Sequence, residues 1–182
     1  MDPIQKLMDE HRVIETVLGA LPAFSASLDE GQESSREDLA QIVTFIREYA
    51  DAYHHGKEED MLFTAMVKAG MPQDGGPIAV MLADHEQGRR YVAVMGQVAA
   101  GEGPLTESEI SEARLAAAGY ADLLGAHIMK EDQVLYPMAQ RLLKPEQMES
   151  MAAHFVKYEA KKGAAAENLA SMATRLAARF GS

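Results

Sequence analysis

The stretch "YHHGKEEDMLF" (residues 53–63) sets two adjacent histidines ahead of two adjacent acids and closes on an apolar run. It interleaves two pairs at helical spacing, His54 with Glu58 and His55 with Glu59, each four residues apart and so on one face of a helix. A second stretch, "HIMKEDQVLYP" (residues 127–137), repeats the pattern. Aligning "KEEDMLF" with "KEDQVLY" fixes an offset of 73, which sends His54 to His127 and Glu58 to Glu131. An offset of 74 sends "EHR" (residues 10–12) to "DHE" (residues 84–86). The chain therefore reads as a duplicated helical hairpin, each copy giving one His and then His-x-x-x-Glu. Thr64 breaks the repeat where the second copy has Pro137. That proline should kink its helix, because it removes a backbone donor.

The rest of the sequence fills in around these hairpins. "DPIQ" (residues 2–5) gives an N-cap, a proline at the first helical position and a capping box. Ile4, Leu7, Met8, Ile14, Leu18 and Leu21 then form a helical stripe. "DEGQESS" (residues 29–35) is the first break, with Ser35 as the expected cap of a second helix. "GMPQDGGP" (residues 70–77) and "AGEGPL" (residues 100–105) are the second and third, and "TESE" (residues 106–109) is a capping-box match opening the fourth helix. Lys144-Pro145 precedes an Ala/Met-rich fifth helix from about residue 146 to 179. No segment alternates as a strand would. Four long helices with short connections predict an all-α, up-down-up-down four-helix bundle over residues 1–143. Residues 144–182 are expected to form an additional C-terminal helix that docks on the bundle or mediates a homodimer.

Composition narrows the function classes. A net charge of −11 with no basic patch argues against nucleic acid and anionic membrane surfaces. The absence of cysteine excludes disulfides, thiolate-bound zinc, iron–sulfur clusters and a thiol nucleophile. With no signal-like N-terminus and no long apolar span, a cytoplasmic protein is the expectation.

In an antiparallel pair, residues equidistant from the turn sit at one height. The midpoints of His11 with His54, His54 with His85, and His85 with His127 fall at 32.5, 69.5 and 106, each at a predicted turn. One histidine from each of four helices therefore lies at one level. On an α-helical wheel His54 and Glu58 follow the buried series of Ile46 and Ala50, whereas His55 and Glu59 follow the polar series of Thr44, Glu48 and Asp51. His54 and Glu58 are expected inside, and His55 and Glu59 at the surface or behind the ligands. Inward acids need compensation, and no Lys or Arg shares these faces except Arg89. A metal supplies the compensation. His154 is expected to miss the site, lying about 10–12 Å along its helix from the level of His127.

With "DEHRVIE", "YHHGKEEDMLF", "ADHEQGRR" and "HIMKEDQVLYPMA" in order over residues 9–139, the chain resembles the hemerythrin-like (HHE cation-binding) family. The resemblance implies a non-haem di-iron centre with oxo or hydroxo and carboxylate bridges. His11, His54, Glu58, His85, His127 and Glu131 match its ligand positions. It implies one iron on His11 and His54, another on His85 and His127, and bridging by Glu58 and Glu131. Oxygen-transport members carry a further histidine four residues after the one matching His85; here that residue is Arg89. The ligand types suit iron, with manganese or zinc also possible. Expected partners are small molecules such as oxygen, peroxide or nitric oxide. The expected function is binding or sensing of oxygen or a related diatomic, against an enzyme that decomposes peroxide or reduces nitric oxide, or iron storage.

Overall fold

The computed structural model describes residues 2–29 and 33–181. Among them all regular structure is helical, forming a bundle with an additional C-terminal helix. Helix α1 spans Pro3–Ser27. Asp2 caps it, its carboxylate accepting from the Ile4 N–H at 2.9 Å, and Pro3 occupies a position whose N–H has no helical partner. Helix α2 occupies residues 33–68. It begins at Glu33, so Ser35, expected as its cap, lies inside the helix and is buried. Residues 30–32, the middle of the expected first loop, lie outside the described residues.

Helix α2 changes winding along its length. It is α-helical over Glu33–Phe45, π-helical over Ile46–His55 and Glu58–Phe63, and α-helical again over Thr64–Lys68. Helix α3 spans Gly76–Ala99 and is entered through Gly75 and Gly76 at φ 89° and 73°, a left-handed turn that side chains disfavour. Helix α4 occupies residues 107–142: α over Glu107–Lys130, π over Glu131–Leu135, α over Tyr136–Leu142. The expected capping box of Thr106 and Glu109 opens it. Winding continues through Pro137, where a kink was expected, and a π turn lies just before it. Thr64 stands in the same place behind a π turn without a proline, so proline is not required for the turn. Helix α5 spans Pro145–Phe180.

The apolar interior is divided in two. One cluster gathers Ile14, Leu21, Phe24, Phe45, Met95, Tyr120 and Leu124 with others at the same end, and the second gathers Ile4, Leu7, Leu62, Phe63, Met66, Leu135 and Phe155 at the other. His11, His54, Glu58, His85, His127 and Glu131, all buried, occupy the stretch between them. Helix α5 lies along α1 and adds Ala173 and Leu176 to one cluster, Met151 and Phe155 to the other. No described helix is long and apolar enough to cross a membrane.

Candidate metal centre

Two groups of side chains in this layer offer ligand atoms that all lie within 4.8 Å of one another: His11, His54, Glu58 and Glu131, and His55, Glu58, His85 and His127. Every member is buried. Glu58 belongs to both groups. Glu131 reaches across as well, its Oε2 lying 3.3 Å from His11 Nε2 and 3.1 Å from His127 Nε2. Glu58 Oε2 lies 3.6 Å from both His54 Nε2 and His85 Nε2. Two carboxylates thus stand between two sets of imidazoles.

His55 corrects the sequence reading. It was expected on a polar face, yet it is buried and stacks on His85 with ring centroids 3.8 Å apart. The cause is the π-helical winding of Ile46–His55. Hydrogen bonds spanning five residues turn the chain through a smaller angle per residue, so consecutive residues stay on one side. Tyr53, His54 and His55 are buried in succession. An α-helical wheel rotates His55 outward and fails here.

A carboxylate stands behind each of the five histidines. Nδ1 of His11 lies 2.7 Å from Asp132, of His54 3.0 Å from Glu10, of His55 3.3 Å from Asp51, of His85 2.7 Å from Glu59, and of His127 3.3 Å from Asp84. Each Nδ1–H donates outward, leaving the Nε2 lone pair for the centre. This arrangement fixes the tautomer and raises the basicity of a metal-binding imidazole. Each carboxylate in turn meets a cation: Asp132 meets Arg12, Glu10 meets Lys57, Asp84 meets Lys130, and both Asp51 and Glu59 meet Arg89. The expectation that Arg89 alone could supply cations on these faces is overturned, because Lys57 is wholly buried behind His54. The cations bind the outer carboxylates and leave the inner ones uncompensated.

The electrostatics show what the inner pair lacks. Burial pushes Glu58 far above the usual carboxylate range, and the Glu131 charge pushes it further. Glu131 is buried too, but His127 and His11 outweigh the burial and hold it well below that range. Without a cation, burial and the Glu131 charge favour a proton on Glu58, while His127 and His11 favour the ionised form of Glu131. Burial alone would lower His11, but its hydrogen bond to Asp132 and the adjacent Glu131 carboxylate lift it to about 8. Burial depresses His54, His55 and His85, which favours the neutral, ligating form. Hydrogen bonding to His85, then to Arg89, carries Glu59 down to about 2.

His54 Nε2, Glu58 Oε2 and both oxygens of Glu131 are buried without a hydrogen bond. The contacts of Glu131 Oε2 to His11 and His127 are close enough for ionic attraction but do not satisfy hydrogen-bond geometry. Orphaned buried acceptors are rare and costly, and these converge. Imidazole nitrogens with carboxylate oxygens form a donor set for a transition-metal cation. The residues therefore fit a metal cation.

Several neighbours escaped the sequence reading. Tyr136 is buried with its hydroxyl 2.7 Å from Glu58 Oε1 and 3.3 Å from His11 Nε2. Glu10, Asp84 and Asp132 were readable signals, since each adjoins a histidine or acid of the duplicated motif. His55 had one as well, for it stands three residues before Glu58 and so shares its side. Glu59 and Arg89 lie behind His85, and neither joins the two groups. His154 is exposed on α5 and lines a surface groove with Asp60 and Met61.

The family described as "Hemerythrin HHE cation binding domain" matches residues 2–139. Relatives include uncharacterized proteins of Mycobacterium tuberculosis (strain ATCC 25618 / H37Rv) and Mycobacterium bovis (strain ATCC BAA-935 / AF2122/97), each 24% identical over 155 residues, 83% of this chain. The chain spans 58% of the length of these relatives. No solved structure matches it.

Proposed function

Since the chain belongs to the hemerythrin HHE cation-binding family, we propose that its core holds two iron ions and binds or senses oxygen or a related diatomic. His11 and His54 hold one ion, and His55, His85 and His127 the other, with Glu58 and Glu131 between them. The observation that carries this is the convergence of orphaned His54 Nε2, Glu58 Oε2 and Glu131 oxygens inside a ring of carboxylate-oriented imidazoles. Iron in such a site supplies electrons that a diatomic can accept reversibly.

The protein's own groups do the rest. Two histidines serve one position and three the other, so the His11/His54 position is left with fewer protein ligands. Tyr136 faces that position, and its hydroxyl proton is tightly held, because burial and then the Glu58 charge push its pKa well up. Its single proton goes to Glu58 Oε1, so it holds that carboxylate in place beside His11. The two apolar clusters above and below exclude water from the layer. A cavity of about 110 Å³ adjoins His55 and His85, walled by Val92, Tyr120 and Leu124 with Arg89 beside them. A space of that size suits a small molecule.

Metal analysis with absorption spectra under anaerobic and oxygenated conditions tests the proposal. Two iron ions per chain and a reversible spectral change with oxygen are expected. Turnover of peroxide or nitric oxide in place of a stable adduct would assign the enzyme class. Retention of zinc alone, with no response to any of these, would refute the reading.

A further inference from the structure

Burial treats the two halves of the repeat unequally. Lys57 and Lys130 are equivalent under the 73-residue offset, and each binds the carboxylate that orients the histidine three residues earlier. The Lys130 side chain is 41% exposed, whereas that of Lys57 is 0% exposed. The difference is helix α5. Glu159 on α5 accepts from Lys57 Nζ at 2.9 Å and from the Tyr53 hydroxyl at 2.6 Å. Lys57 Nζ also lies 3.7 Å from the Tyr53 ring centre, 5.5 Å from Phe155 and 5.9 Å from Tyr158, the last two on α5. Lys6 adds a second cation, 3.6 Å from both Glu10 and Glu159.

We propose that Glu159 is a positioning residue for the His11/His54 metal position, acting on His54 through Lys57 and Glu10, so that α5 makes the two metal positions unequal. The inference rests on the metal-centre reading above. Its physical basis is a shared charge. A buried ammonium must be fully compensated, and Lys57 divides its attraction between Glu159 and Glu10. One Glu10 oxygen faces Lys57, and the other meets His54 Nδ1 at 3.0 Å. Without the Glu159 charge, Lys57 draws on Glu10 alone. Less negative charge then remains for the Nδ1–H of His54, and its Nε2 becomes a poorer ligand. The Asp84–Lys130 pair behind His127 has no such partner from α5 among the described residues.

The test uses the full chain loaded with iron, comparing wild type with Glu159→Gln, Glu159→Asp and, as a control on the exposed face of α5, Glu167→Gln. Release of each iron to a chelator is followed by stopped flow, and the two iron environments by Mössbauer spectroscopy. Glu159→Gln is expected to speed release of one of the two irons about tenfold, the lower end of what loss of an outer-shell partner costs. The other iron keeps its wild-type rate, and only one of the two Mössbauer signals shifts. Glu159→Asp, which keeps the charge, restores the slow release, and Glu167→Gln matches wild type. Equal acceleration of both irons would reduce Glu159 to a structural contact and overturn the proposal. So would unchanged release, or failure of the Asp variant to restore it. A wild-type chain that holds no metal would overturn the metal centre and this proposal together, whereas two normally bound irons with indifferent variants would overturn this proposal alone.

Discussion

Stripping the metal should destabilise the protein by an amount that the layer itself sets. Four buried atoms, His54 Nε2, Glu58 Oε2 and both Glu131 oxygens, lack partners without a cation. An unsatisfied buried polar atom costs about 1–3 kcal/mol. Glu58 can relieve part of the strain by taking up a proton, because burial and then the Glu131 charge raise its affinity for one. Taking the lower figure for each atom gives about 4 kcal/mol, a large share of an ordinary domain's stability of about 5–15 kcal/mol. For a chain of this size the midpoint should fall by about 8–16 °C, at about 2–4 °C per kcal/mol. Circular dichroism melts before and after chelation measure this. The decisive comparison is the double variant Glu58→Gln/Glu131→Gln. It removes the buried charges, so its midpoint should equal or exceed that of metal-free wild type and should not respond to metal. If chelation empties the protein without moving its midpoint, or if the double variant melts well below the metal-free wild type, the layer is not strained by the want of a cation.

Further outcomes follow from the same geometry. His55→Ala should weaken one of two bound metals by at least the roughly 10–100-fold that loss of an outer-shell partner costs, while His154→Ala leaves metal content unchanged; metal titration of each variant checks both. Tyr136→Phe removes the hydroxyl 2.7 Å from Glu58, should cost about 1 kcal/mol of stability and should shorten the lifetime of any oxygen adduct, as read by denaturant melts and stopped flow. In the metal-free protein His11 is raised from 6.5 to about 8, so its contribution is full below pH 6.5 and is lost as pH rises through about 8. Melts across that window should show stability falling by up to about 2 kcal/mol in the metal-free protein. The loss should vanish in the loaded protein, where a ligating His11 must stay unprotonated.

Much of the fold was legible because its signals are local or symmetric. Asp2 with Pro3, and Thr106 with Glu109, mark helix starts through contacts spanning three residues. The duplicated hairpin sets heights by counting from the turns, and His11, His54, His85 and His127 do lie in one buried layer. Facing was less legible. The wheel that placed His55 outside assumes α-helical winding, and nothing in "IREYADAYHH" announces a π-helix. Which histidine each outer carboxylate orients was less legible, because most of them pair across helices: Glu59 of the first hairpin orients His85 of the second, and Asp132 of the second orients His11 of the first. Lys57 was missed because α5 buries it, and no spacing within the bundle reports what a later helix covers.

The π-helical segment Ile46–His55 also determines which changes of chain length the protein can survive. Ala52 is exposed, and replacing its side chain should matter little. Deleting the residue is another matter. If the segment kept its π winding, the deletion would turn everything downstream by somewhat less than the α-helical step of about 100° per residue and draw it back by less than about 1.5 Å. Glu58 would leave the space between the two histidine groups, and Leu62 and Phe63 would leave the apolar cluster beyond. The segment therefore behaves as a phase-setting spacer whose length, more than its surface composition, is under constraint.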